Sequence, residues 1–175
     1  MKLITPRLTL TRLQPEDWPL FLQVHSDAAC MEFISPVPQL ADIRQRFHDR
    51  LMPWQATSFH MLCLVIRLKE SGESIGLMGA TPEWMPHRQA EVGYSLLREH
   101  FGQGYSSEAL DALCDLLFSD CGFHKLKAQV VEGHQASRRV LEKNNFALEG
   151  TLRDNYLFNG RWVNDWLFGR INPRD

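Results

Sequence analysis

Arg98-Glu99-His100-Phe101-Gly102-Gln103-Gly104-Tyr105-Ser106-Ser107-Glu108-Ala109 is the stretch on which the fold of this chain turns. It follows Ala90-Glu91-Val92-Gly93-Tyr94-Ser95-Leu96-Leu97, which reads as a strand. It opens a helical segment that places Ala109, Leu110, Leu113, Leu116 and Leu117 on one face. Strand, short glycine loop and helix together make an anion site. The loop N–H groups converge on the ligand, and the first helical turn leaves further N–H donors without partners. Glycine is needed there because a side chain would block close approach or forbid the dihedrals. The reading is a loop that holds a phosphorylated ligand.

The remaining chain arranges itself around that unit. Arg7 to Leu13 alternates as a strand, and Pro15-Glu16-Asp17 starts a helix carrying Trp18, Phe21, Leu22 and His25. Asp42 to Leu51 is predicted helical, with Ile43, Phe47 and Leu51 at spacing four. Met61 to Leu68 and Ser74 to Ala80 form a hairpin about Ser71-Gly72-Glu73, and Pro82 to Arg88 is predicted as a loop. The helix from Tyr105 is predicted to run to Cys121, Lys125 to Val131 to be a strand, and Gln135 to Asn144 a helix closed by Asn145. A strand starts at Phe146, and Asn159-Gly160 between apolar runs marks a terminal hairpin. This order predicts one α/β domain spanning residues 1–175, a mixed and largely antiparallel sheet with helices on both faces.

Composition narrows the function. With 175 residues the chain buries a core without staples, and a formal net charge of −2 gives no electrostatic support for nucleic-acid or membrane-surface binding. Cys30, Cys63, Cys114 and Cys121 form no Cys-x-x-Cys pair and sit in apolar or helical settings, as expected of reduced thiols in a cytoplasmic protein. Pro6 and Arg7 come too early for a signal peptide, and no apolar run is long enough to span a bilayer. The histidines at 25, 48, 60, 87, 100, 124 and 134 show no metal-binding spacing, so no metal is expected.

The chain resembles the GNAT superfamily of N-acetyltransferases. The family's pyrophosphate loop reads Gln/Arg-x-x-Gly-x-Gly/Ala. Here Glu99-His100-Phe101-Gly102-Gln103-Gly104 keeps both glycines and has Glu99 first. Ala90 to Tyr94 is similar to the family's fourth strand, and His134 to Phe146 to its Asn-x-x-Ser…Glu-Lys-x-Gly-Phe segment. His134 replaces the usual Asn, and Asn145 the usual Gly. The opening Thr5-Pro6-Arg7-Leu8-Thr9-Leu10-Thr11-Arg12-Leu13 is similar to the RimJ/RimL branch of ribosomal-protein N-terminal acetyltransferases, as is the terminal hairpin.

The resemblance implies acetyl-CoA as donor and a primary amine as acceptor, with a protein N-terminus foremost, in a monomer or homodimer. It implies a central parallel strand pair that splays apart. The pyrophosphate would lie on Phe101, Gly102, Gln103, Gly104, Tyr105 and Ser106, and the pantetheine beside Leu96 and Leu97, with His134 offering an imidazole N–H. Glu91 aligns with a family glutamate that relays the acceptor's proton through water. Leu141 stands where many relatives have a proton-donating tyrosine, which leaves Ser137 as the hydroxyl on that helix and Tyr105 as a further candidate. Trp84, in its proline-flanked loop, and Tyr156 are expected at the acceptor, with Trp54, Trp162, Trp166, Asn155 and Asp154 as further residues near it. A small-molecule amine acetyltransferase and a non-catalytic coenzyme-binding sensor are the competing readings. A nucleotide-binding protein is disfavoured because no Gly-Lys-Ser/Thr occurs.

The acceptor must attack as the neutral amine. At pH 7 about one α-amino group in eight is neutral, against about one lysine in 2,500. An α-amine therefore asks far less of a base than a lysine or a polyamine does.

Overall fold

The structure, a computed structural model, describes residues 1–175. Eight strands form one sheet: β1 (Lys2–Ile4), β2 (Leu8–Arg12), β3 (Leu62–Leu68), β4 (Ser74–Glu83), β5 (Gln89–Leu96), β6 (Lys125–Val131), β7 (Ala147–Phe158) and β8 (Arg161–Ile171). Their spatial order is β1-β2-β3-β4-β5-β6-β8-β7. Every neighbouring pair is antiparallel except β5 and β6, which run parallel. The helices are α1 (Trp18–Ser26), α2 (Ala28–Met31), α3 (Leu40–Leu51), α4 (Tyr105–Asp115) and α5 (Gln135–Lys143).

Alternation along the strands divides the core in two. Leu62, Leu64 and Ile66 of β3 point to a large cluster under α4, together with Met78, Val92, Leu96, Leu110, Leu113 and Leu117. Cys63 and Val65 point the opposite way and join Leu77 in a smaller cluster under α1 and α3, with Phe21, Val24, Ile43 and Phe47. The central strands are thus buried on both faces, which is why they read as near-continuous apolar runs.

The predicted elements are present, with local corrections. Pro82 and Glu83 extend β4 instead of starting a loop. Leu97 N–H donates to the Ile75 carbonyl (2.9 Å), and counting pairs from there makes Pro82–Ala90 a non-hydrogen-bonded pair. The proline's missing N–H therefore costs the ladder nothing. The helix from Tyr105 changes pitch at Leu116, and Leu116–Asp120 form a π turn closed by Cys121 N–H on the Leu116 carbonyl (3.0 Å). The short elements β1 and α2 were not foreseen. Asp27 caps α2, accepting from Ala29 and Cys30 N–H at 2.7 and 3.1 Å. Asn159 (φ 48°) and Gly160 (φ 78°) are both left-handed, as a two-residue turn between β7 and β8 demands.

Candidate active site

β5 and β6 pair only at Gln89–Lys125, Ala90–Leu126 and Glu91–Lys127, and then part. The antiparallel alternation that turns Leu97 toward β4 turns the N–H and C=O groups of Val92, Tyr94 and Leu96 toward the gap. Leu97 itself is spent: its carbonyl accepts from His100 N–H (3.0 Å), and its side chain is buried in the smaller core. Leu97 thus offers no backbone group to the gap, which leaves the Tyr94 N–H and C=O and the Leu96 N–H, the Leu96 carbonyl accepting from the Cys30 thiol (3.3 Å). The gap opens into a cleft of about 1060 Å³ lined from both faces of the sheet.

At the end of β5 the glycine loop meets α4. Gly102 (φ 74°) and Gly104 (φ 81°) are left-handed, and a Cβ on Gly104 would stand 3.3 Å from Arg7 Nη2. None of the N–H groups from Gly102 to Ser107 finds an acceptor within the chain. A run of unpaired donors at a helix N-terminus fits a pyrophosphate, which they and the helix dipole would hold. Phe101, Gly102, Gly104, Tyr105 and Ser106 line the cleft, whereas the Gln103 side chain lies outside it, with Nε2 donating to the Glu99 carbonyl (3.3 Å). Gln103 is left with its N–H alone to offer.

Distant residues brace the loop. Arg7 donates from Nε to Glu108 Oε2 (2.6 Å) and from Nη1 to the Gln103 carbonyl (2.9 Å), and its guanidinium lies 4.6 Å from the centre of the Tyr105 ring. Thr5 also donates to Glu108. Thr5 and Arg7 of the opening motif thus grip the first turn of α4. From the other side the buried Asn144 amide donates to the Ser107 carbonyl (3.2 Å) and Oγ (3.1 Å), tying the end of α5 to the same turn. Sequence reasoning noticed both motifs without seeing that they meet.

α5 presents Ser137 and His134 to the cleft. Ser137 N–H donates to His134 Nδ1 (3.4 Å), so the ring caps the helix and carries its proton on Nε2. The ring stacks on Phe33 with centroids 4.2 Å apart, and burial lowers its pKa, keeping it neutral. The departure from Asn therefore preserves both a cap and a free N–H donor. Ser137 Oγ is 2.9 Å from the Tyr94 hydroxyl, whose pKa burial pushes up to about 12. In the sequence Tyr94 belongs to the strand motif, and its period-two alternation with Val92 and Leu96 is the signal that it faces α5. Leu141 is fully buried in the large core.

On the opposite face Glu91 lines the cleft and joins none of the chain's ion pairs. Desolvation raises its pKa; Lys127 opposes that, while Glu83 and Asp165 add to it. Asp165 is buried and accepts at Oδ2 from Gln129 (2.8 Å) and Asn155 (2.7 Å). The Tyr156 hydroxyl is buried in the cleft wall with no partner, and its pKa is raised by burial and then by Asp165. Trp84 is not among the cleft residues. It packs edge-on against Phe123 at 5.3 Å, because β4 continues past Pro82 and carries it onto the core. Trp54 also packs on that core, Trp166 is buried in it, and Trp162 and Asp154 are exposed on the hairpin.

The acetyltransferase (GNAT) domain family matches residues 7–147. An uncharacterised N-acetyltransferase, p20, of Bacillus licheniformis is 31% identical over 97% of this chain and 95% of its own. The chain belongs to the GNAT acetyltransferase family, and it is an acyltransferase with acetyl-CoA as cosubstrate. Its fold is shared by RimL, a ribosomal-protein α-N-acetyltransferase solved with coenzyme A (TM-score 0.86, 20% identity, all of both chains). It is shared equally by a spermidine N-acetyltransferase of Vibrio cholerae solved with coenzyme A and spermine (TM-score 0.84, 20% identity, 95% of this chain and 96% of that one). Likeness at this level leaves the acceptor open.

Proposed function

We propose that the enzyme acetylates the α-amine of an acceptor, a protein N-terminus foremost, by direct attack of the amine within the cleft. The observation that carries this reading is that the Glu91 carboxylate, which joins no ion pair, and the Tyr156 hydroxyl, buried without a partner, line the same cleft. One carboxylate with a raised pKa suits an acceptor that is already partly neutral at pH 7.

Bound acetyl-CoA supplies an activated thioester acyl group. The N–H groups of Gly102 to Ser107 hold its pyrophosphate, and the gap-facing backbone of Tyr94 and Leu96 guides its pantetheine arm. His134 Nε2–H is a further donor on that side. Glu91 takes the acceptor's proton through water, and Tyr156 orients the amine. Ser137 Oγ–H is the proton source for the departing thiol, with the Tyr94 hydroxyl bonded behind it to hold its direction. That hydroxyl pair supports catalysis over the sensor reading, since it supplies what Leu141 lacks. The four free cysteines, three of them buried, support a reducing, cytoplasmic setting.

The test is thiol release from acetyl-CoA with short peptides of varied first residue, lysine-only peptides and spermidine, with the acetylated nitrogen located by mass spectrometry. Modification of α-amines is the expected result. Turnover confined to spermidine or to lysine side chains would overturn the proposal.

A further inference from the structure

The acceptor side of the cleft extends beyond what an amine needs. Cys63 of β3, Gly79 of β4 and Gly93 of β5 stand in one cross-strand row on the face that carries α1 and α3. Gly93 leaves a trough in the sheet surface on the cleft wall, while the space over Gly79 is taken by the Leu62 carbonyl, and the Met61 methyl lies between the two glycines (3.1 Å from a Cβ built on Gly79, 3.8 Å from one on Gly93). At one end of the trough is Glu91, two residues from Gly93 and on the same face. At the other, α3 sets the Arg50 guanidinium against the Cys63 thiol, with Arg46 one turn earlier on the cleft wall. Two strand spacings separate the ends of the row, about 10 Å.

Arg50 is held rather than loose. Its guanidinium lies 5.3 Å from the centre of the Phe21 ring. His25 Nδ1 lies 2.8 Å from the Phe21 carbonyl, which can only accept, so Nδ1 carries the proton and Nε2 is bare. Arg50 Nη1 donates to that Nε2 at 3.5 Å. Burial pushes the His25 pKa down to about 4, partly opposed by its bond to Phe21, with Arg50 and Arg46 lowering it further, so the ring stays neutral.

What Arg50 lacks is a counter-charge. Neither Arg50 nor Arg46 takes part in an ion pair. The acids closest in sequence and fold are engaged elsewhere: Asp49 accepts from Gln45 (2.8 Å), and Asp17 is paired with Arg67. Cys63 does not serve, because burial lifts its thiol to about 11. A fixed, part-buried guanidinium with free N–H donors in a cavity matches a carboxylate bidentately.

Building on the acceptor reading above, we infer that Arg50, assisted by Arg46, selects an acceptor that carries a carboxylate, its amine lying at Glu91 and its carboxylate on the guanidinium across the trough. The same cation repels a polyamine. The carboxylate has two possible sources, an acidic residue at a polypeptide N-terminus or a free amino dicarboxylate.

The experiment compares acetyl-CoA turnover on a C-terminally amidated peptide beginning with glutamate, its glutamine counterpart, free glutamate, free glutamine and spermidine, in the wild type, Arg50→Met and Arg50→Lys. The glutamate peptide is expected to exceed the glutamine peptide in kcat/KM by roughly tenfold or more. The difference should lie in KM, vanish in Arg50→Met and return in part in Arg50→Lys. Acetyl-CoA affinity, measured by calorimetry, should be the same in all three proteins. A preference for free glutamate with the same dependence on Arg50 supports the inference and assigns the small-molecule source. Equal use of glutamate and glutamine acceptors by the wild type overturns it while leaving α-amine transfer intact, as does a preference that survives in both variants. Turnover on spermidine alone overturns both.

Discussion

The Tyr94 hydroxyl stands 2.9 Å from Ser137 Oγ, joining strand β5 to helix α5 across the gap that the parting of β5 and β6 opens. With its pKa pushed up to about 12, Tyr94 keeps its proton at every working pH. It can therefore donate to Ser137 while Ser137 donates into the cleft. Ser137→Ala is expected to lower kcat by about 10²-fold, with acetyl-CoA affinity changed by no more than about threefold. Tyr94→Phe leaves the serine hydroxyl in place and should cost less in kcat, along with about 1 kcal/mol of stability for the lost buried hydrogen bond. Steady-state kinetics beside calorimetric titration checks both, and an active Ser137→Ala enzyme removes the serine from the mechanism.

Glu91 ties activity and stability to pH in opposite senses. Its folded pKa is raised, chiefly by desolvation, so kcat/KM should climb as pH passes through that raised value and the base ionises. Glu91→Gln should lower the plateau and leave only the titration of the acceptor amine. For stability, a carboxyl with a raised pKa favours the folded state while protonated, and that benefit is lost as pH rises through the folded pKa. Glu91→Gln should thus match the wild type in acid and melt above it near neutrality. Thermal melts at pH 4 and pH 7 read the difference.

Gly104 carries φ 81° at the N-terminus of α4. Gly104→Ala imposes a left-handed alanine, at about 1–2 kcal/mol, and crowds Arg7. The expected outcome is a folded protein with a lower Tm and acetyl-CoA binding weakened by roughly tenfold, the equivalent of about 1.4 kcal/mol. Wild-type affinity in this variant would remove the loop from the binding site.

The Arg7–Glu108 brace should act on the coenzyme without touching it. Burial alone would raise the Glu108 carboxyl, but hydrogen bonds from Thr5 and Arg7 outweigh it and hold the pKa below the usual carboxylate range. A depressed pKa stabilises the fold above the unfolded value, near 4.3, and that contribution is lost as pH falls through the folded one. Glu108→Gln should weaken acetyl-CoA binding at pH 7 and destabilise the protein there, with the gap from the wild type closing in acid. A gap that persists at low pH would mean that packing, and not the ionised brace, holds the loop.

Where the governing interactions were local, the sequence was enough. Gly102 and Gly104 announced left-handed loop positions, the apolar spacing from Ala109 to Leu117 announced α4, and Asn159-Gly160 announced the turn between β7 and β8. Each depends on a residue's own dihedrals or on neighbours a few positions away, so each is written in consecutive letters. Glu91, Ser137 and His134 were legible only through family resemblance, and they do reach a common cleft. Trp84 and Leu97 were misplaced because their fate hung on how far β4 runs and which way β5 alternates.

The chain by itself determined a mixed α/β sheet with a glycine loop opening α4, because backbone conformation and hydrophobic period are fixed at short range, and its motifs resembled those of the acetyltransferase family to which it belongs. Tertiary structure alone decided what stands around that loop. Thr5 and Arg7 meet Glu108 from about a hundred positions away, Tyr94 meets Ser137 across 43, and Arg50 reaches the row of Cys63, Gly79 and Gly93 only because α3 crosses the face of β3. Contacts of that kind depend on strand order and helix placement, which arise when two faces of one sheet bury their apolar sides at once, and no window of sequence contains both partners.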